Sequence, residues 1–237
     1  MNAKKWTALV LFALAACLNF AGNYFDYEPL MRITKPLLMP LVLLNALLAL
    51  EGTAAPKWLW TLLTSALCFH CAGDIFLMLA GPFAFFAAGL ACFLAGHFFY
   101  VSIFAKTGVF RNLSAGWWLL SCTLALTIPL ILVNVLDFEG PIKYAVLLYA
   151  FALLYVGMCG IVGALNKRSG VSHPAYWLVF AGALVFISSD FLVAWRSLLG
   201  NTFPRIGFVI MFTYVLAECM IVTGIVRPYL RRSPDKN

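Results

Sequence analysis

Charge is scarce in this chain. Of its 237 residues only 11% are Asp, Glu, Lys or Arg, and just nine of those are acidic. A soluble domain carries about a quarter charged residues, so an ordinary water-soluble fold is excluded. With 64% hydrophobic residues and a mean hydropathy of +0.96, disorder is excluded too. Long polar linkers are absent, which leaves no room for a second domain. Histidine occurs three times, few for a metal-dependent hydrolase, which needs three or more His or carboxylate ligands. The seven cysteines are an odd number, all in apolar stretches, and the CxxC of Cys68 and Cys71 has no second pair. They read as small buried thiols rather than as a disulfide, zinc or redox framework. GxSxG, HExxH, Walker and Rossmann patterns are missing, and with them serine-hydrolase, zincin and nucleotide chemistry.

What is present is a succession of eight apolar runs. They span roughly Trp6 to Ala21, Leu37 to Leu50, Leu59 to Ala80, Phe83 to Phe104, Ala115 to Val135, Tyr144 to Leu165, Ala175 to Trp195 and Ile206 to Val226. About 20 helical residues cross the hydrocarbon of a bilayer. The fold class is therefore an all-α polytopic membrane protein, a single transmembrane domain over residues 1–237 with eight helices. The first two runs are short and are expected to extend into their flanks. Near the amino terminus Leu14-Ala15-Ala16-Cys17 looks like a lipoprotein signal-peptidase box, but a run of small residues also suits a genuine span. Asn19 and Asn23, one turn apart, are placed to face other helices.

An even number of spans puts both termini on one side. That side carries Lys4, Lys5, Lys57, Lys106, Arg111, Lys167, Arg168, Arg227, Arg231, Arg232 and Lys236, eleven cations. The other has five, Arg32, Lys35, Lys143, Arg196 and Arg205. The positive-inside rule places both termini in the cytoplasm, and the expected home is the inner (cytoplasmic) membrane of a bacterium. The net charge of +7 is thus a topology signal and not a nucleic-acid surface. Asp74 in the third run and Asp190 in the seventh stand 116 residues apart in similar local sequence, a faint sign of a four-plus-four repeat.

Carboxylates inside spans are costly, about 2.5–3.5 kcal/mol at mid-bilayer, and mark function by default. Three occur: Asp74, Asp190 and Glu218. Counting along the runs, Asp74 lies about 9 Å and Asp190 about 8 Å below the non-cytoplasmic boundary. Lys35, read as opening the second span with Pro36 in its first turn, and Arg196, closing the seventh, approach the same level. Glu218 is deeper and one turn from Tyr214; His97 and Tyr100 share a face of the fourth span, and His70 precedes Asp74 by one turn. Zinc held by His70, Asp74, His97 and a cysteine is conceivable, but no metal or organic cofactor is called for. Two shallow aspartates point to acid/base work instead. A carboxyl kept protonated can donate a proton while an ionised one activates water, which suits cleavage of an ether-type bond through an oxocarbenium ion. The nearby cations would suit a lipid phosphate.

Lys35-Pro36, Gly73-Asp74, Gly96-His97 with Tyr100, Gly182-Ala183, Phe186, Ser189-Asp190, Tyr214 and Ala217-Glu218 together resemble the YhhN / lysoplasmalogenase family of eight-span membrane proteins. The resemblance implies hydrolysis of the vinyl-ether bond of lysoplasmalogens, lysophospholipids whose cleavage gives a fatty aldehyde and glycerophosphoethanolamine or -choline. It implies Asp74 and Asp190 as the catalytic pair. Lys35, His97, Tyr100, Tyr214, Glu218 and Arg196 are then the candidate substrate-binding residues, Glu218 standing where an amide is expected in many members. The expected partners are the lysolipid and the surrounding membrane lipids, with no nucleic acid. Two other readings of the same residues stay open: a proton-coupled transporter of a small molecule or lipid, and a non-catalytic lipid-binding scaffold.

Overall fold

A computed structural model describes residues 3–79, 83–135, 140 and 142–230 of the protein. Among these, eight long helices and no strand are found. They are α1 (Ala3–Tyr24), α2 (Glu28–Leu50), α3 (Lys57–Met78), α4 (Phe83–Thr107), α5 (Ala115–Val135), α6 (Ile142–Leu165), α7 (Tyr176–Ser197) and α8 (Ile206–Val226). All eight are long and apolar enough to span a bilayer. Helices are the natural outcome, because hydrocarbon offers no partner for a backbone N–H or C=O and only an internally bonded segment satisfies both. Arg231, Arg232 and Lys236 of the basic tail, and Ala80 at the expected end of the third span, lie outside the described residues.

α1 and α2 extend as expected, and the extension of α2 corrects one reading. The helix starts at Glu28, with Pro29 in its first turn and Glu28 paired to Arg32 at 2.6 Å one turn on. Lys35 and Pro36 are therefore inside the helix, not at its opening. Pro36 and Pro40 both interrupt the internal hydrogen-bond ladder. Pro40 has no N–H for the carbonyl of Pro36, and the thiol of Cys71 on α3 donates to that oxygen at 3.4 Å instead. Neighbouring side chains that re-satisfy the backbone are what permit proline within a span. The second thiol of the lone CxxC thus has a local structural role.

Neighbour relations describe a ring: α1, α2, α3, α4, α6, α7 and α8 follow one another, and α8 closes on α1 while also touching α2. α5 stands outside, packed chiefly against α6. Its sequence counterpart in a four-plus-four scheme, α1, packs against both α2 and α8, so the two halves are arranged differently. The Leu14–Cys17 segment falls within uninterrupted α1, with Ala15 and Ala16 buried and Cys17 exposed. Asn19 is fully buried and its amide donates to Thr34 of α2 at 2.9 Å. At the end of the bundle away from the termini, Arg205 meets Asp26 at 3.2 Å and stacks over Tyr24, tying the α7–α8 turn to the α1–α2 turn.

Small residues let the helices approach. A methyl group on Gly160 of α6 would lie 2.7 Å from the backbone nitrogen of Phe180 and 2.9 Å from the carbonyl of Tyr176, both on the α7 side. Backbone cannot rotate away as a side chain can. Gly160→Ala should therefore lower the melting temperature of the detergent-solubilised protein, by an overpacking cost of about 1–3 kcal/mol. Gly116→Ala, where nothing lies within 4 Å of the added methyl, should leave it unchanged or slightly higher.

Candidate active site

Three helices bring the polar residues inward at one-turn spacing. α3 carries His70 and Asp74, α4 carries His97 and Tyr100, and α8 carries Tyr214 and Glu218. The helical repeat places each pair on one face; the pairs of α3 and α8 are divided between two levels, and that of α4 lies in the lower one. The result is two polar layers.

The first layer lies in the half of the bundle away from the termini. Asp74, 2% exposed, accepts a hydrogen bond from the Tyr214 hydroxyl on Oδ2 at 2.8 Å. Its Oδ1 is 3.4 Å from the Lys35 ammonium on α2. Asp190 on α7 accepts from the hydroxyl of Tyr149 on α6, 2.6 Å from its Oδ2. Lys35, Asp74, Tyr149, Ser189, Asp190 and Tyr214 all line one partly open cavity. The remaining lining is apolar, including Phe86, Leu90 and Phe93 of α4, Ile128 and Pro129 of α5, and Leu153 of α6. Such a hollow, apolar with a few convergent polar groups, has the character of a small-molecule site.

The second layer is sealed. His70, His97, Tyr100 and Glu218 have no solvent exposure. Glu218 accepts from the Tyr100 hydroxyl on Oε2 at 2.7 Å, and its Oε1 is 2.5 Å from Nδ1 of His70, off the axis of a well-formed hydrogen bond. His97 Nδ1 is 2.7 Å from the carbonyl of Phe93. A carbonyl only accepts, so that nitrogen carries the hydrogen and Nε2 is a bare acceptor without a protein partner. Phe186 divides the layers, edge-on to Tyr214 at 5.5 Å on one side and to His97 at 5.1 Å on the other. Gly96 makes the arrangement possible. A methyl group there would lie 2.1 Å from the His70 ring.

Of the residues singled out from sequence, Asp74, Asp190, Lys35 and Tyr214 meet at the cavity. His97, Tyr100 and Glu218 lie one layer beneath and do not line it. Arg196 is exposed at the end of α7 beside Asn23 and Gly207, outside the cavity lining. Asp74 is four residues from the end of α3 and Asp190 seven from the end of α7, so by helical rise they sit about 6 Å and about 10 Å in. Sequence reasoning missed Tyr149, the partner of Asp190. A tyrosine in an apolar helix carries no penalty that would mark it, and α6 has no polar stripe to show which face turns inward. His70 was placed with Asp74 by spacing, and the carboxylate beside its Nδ1 is instead that of Glu218. Among the described residues no three His, Cys, Asp or Glu side chains converge as a metal set.

The sequence profile of the YhhN family matches residues 30–225. The chain belongs to the YhhN family. No curated protein and no solved structure matches it. The matched span runs from Leu30 in α2 to Ile225 in α8 and contains both polar layers, so in this YhhN-family protein the cavity and the sealed network belong to the shared part of the chain.

Glu218 is the keystone of the second layer. Glu218→Ala strands the Tyr100 hydroxyl and removes the carboxylate beside His70, and an expected loss of about 3–5 kcal/mol should appear as a strongly lowered melting temperature. Glu218→Gln keeps an acceptor for Tyr100 and a group beside His70, and should lose markedly less.

Proposed function

We propose that this protein is a membrane-embedded hydrolase that cleaves the vinyl-ether bond of lysoplasmalogen-type lysophospholipids. The observation that carries the reading is the pair of carboxyls, Asp74 and Asp190, lining one apolar-walled hollow. Membership of the YhhN family supports it. An alkenyl chain suits the Phe, Leu and Ile walls, and a head group would stay at the polar boundary above Lys35. One carboxyl protonates the β-carbon of the alkenyl ether, giving an oxocarbenium ion. The other activates water against the α-carbon, and the hemiacetal collapses to aldehyde and alcohol. This is general acid/base chemistry of the kind that glycosidases perform with two carboxyls.

Orientation follows from the same proposal. With both termini cytoplasmic under the positive-inside rule, the cavity opens in the non-cytoplasmic half of the bilayer. A transporter would need the polar path to continue to the opposite face. Here the second layer is followed toward the termini by Leu59, Leu63, Phe104 and Ile221, all fully buried apolar side chains. That plug favours a dead-end chemical site over a conduit.

Purified protein incubated with a lysoplasmalogen should release fatty aldehyde and glycerophosphodiester in equal amounts, with an ester lysophospholipid as control. Asp74→Asn and Asp190→Asn should each reduce turnover by about a thousandfold while the melting temperature shows a folded protein. Full aldehyde release by either variant would refute the pair. Proton-coupled flux in proteoliposomes with no aldehyde formed would favour transport.

A further inference from the structure

The two carboxyls sit in unlike surroundings, and from this we infer that they have fixed, different roles: Asp190 is the proton donor and Asp74 the base, with Lys35 and Tyr149 as the residues that position and distinguish them. The inference rests on the hydrolase reading above and goes beyond it.

Both oxygens of Asp74 face donors. Oδ1 faces the Lys35 ammonium at 3.4 Å and Oδ2 takes the hydrogen of Tyr214. A carboxyl so placed has a cation to balance a negative charge and no donor-free oxygen on which to keep a proton of its own. Asp190 has only one donor, Tyr149, on Oδ2. Among the described residues no cation lies within ion-pair distance of it and nothing bonds its Oδ1. The neighbouring Ser189 hydroxyl is already spent on the carbonyl of Ile210. A charged Asp190 would stand uncompensated against apolar walls, whereas a neutral one accepts from Tyr149 on Oδ2 and offers an O–H from Oδ1. That is a carboxylic acid with its carbonyl oxygen held in place and its proton free for the cavity.

The proton balance closes with these roles. Asp190 gives its proton to the β-carbon, the carbon–carbon π bond breaks, and the positive charge is shared by the α-carbon and the ether oxygen. Asp74 takes a proton from water as the water oxygen bonds to the α-carbon, forming the hemiacetal. In collapse, the hemiacetal hydroxyl returns a proton to Asp190, the bond to the glycerol oxygen breaks, and that oxygen takes the proton from Asp74. Water is consumed and both carboxyls are restored.

Different roles leave different signatures in heavy water. Asp74→Asn retains the acid but loses water activation. It should reversibly deuterate the β-carbon and accumulate β-deuterated, unhydrolysed lysoplasmalogen, detected by mass spectrometry. Asp190→Asn should exchange at least about a hundredfold more slowly, because no group remains to deliver the deuteron. Lys35→Met should mimic Asp74→Asn, exchange without hydrolysis, while Lys35→Arg, which keeps the cation, restores hydrolysis. Tyr149→Phe should lower kcat with little change in KM and slow the exchange. If Asp190→Asn exchanges and Asp74→Asn does not, or if neither does while the wild type releases β-deuterated aldehyde, the role assignment is overturned and the hydrolase reading survives. If the wild type releases no aldehyde at all, both fall.

Discussion

Hydrocarbon supplies no hydrogen bonds, and a fully buried carboxyl, Glu218, shows how much of this bundle follows from that. Oε2 accepts from Tyr100 of α4 and Oε1 lies beside the His70 ring of α3, so one side chain of α8 bridges three helices at a single depth. The knot holds only where the backbones come close, and Gly96 supplies the gap into which the His70 ring fits. An unpaired charge at that depth would cost several kcal/mol, so the three helices are constrained together more strongly than apolar packing alone would demand. The turn above Glu218 on α8 carries Tyr214, and the turn above His70 on α3 carries Asp74. Fixing the lower layer therefore sets the register of the upper one, and the hydrogen bond from Tyr214 to Asp74 is a consequence of it.

The same accounting explains the second helix. Two prolines one turn apart would break a helix in water, yet here the carbonyl released by Pro40 is answered by the Cys71 thiol. Because α2 runs on through them, Lys35 enters the wall of the cavity in place of capping a helix at its edge. A lysine at that position keeps its ammonium on Asp74, and the cavity acquires a fixed positive charge on one side only. The asymmetry between the two aspartates starts from this backbone detail.

α5 contributes differently. It stands outside the ring, packs chiefly on α6, and still lends Ile128 and Pro129 to the cavity wall. One side of the hollow is thus formed by a helix with few neighbours. Leu59, Leu63, Phe104 and Ile221, all fully buried, lie on the terminal side of the second layer.

Much of the fold was legible in the residues. The eight spans stand out because burial in lipid demands long apolar runs, and their bounds move by only a few residues except in α2. Asp74, Asp190 and Glu218 stand out because charge in hydrocarbon is improbable without a purpose. The start of α2 was misread because a proline inside a span looks like a helix start until its freed carbonyl finds a partner on another helix. Tyr149 was invisible because a phenol is at ease in an apolar helix and α6 gives no sign of which face turns inward. By itself the sequence determined the class, the number of helices and the presence of carboxyls within the spans, all of which depend on transfer from water to hydrocarbon. The depths of Asp74 and Asp190, read as about 9 Å and about 8 Å, became about 6 Å and about 10 Å once the helix ends were placed. Which carboxyl received a cation, which received a phenol, and which of the polar residues line the hollow and which lie sealed beneath it were decided only by tertiary structure. Those pairings arise between helices far apart in the chain, and the rotation and crossing of each helix that create them are set by packing that no local pattern records.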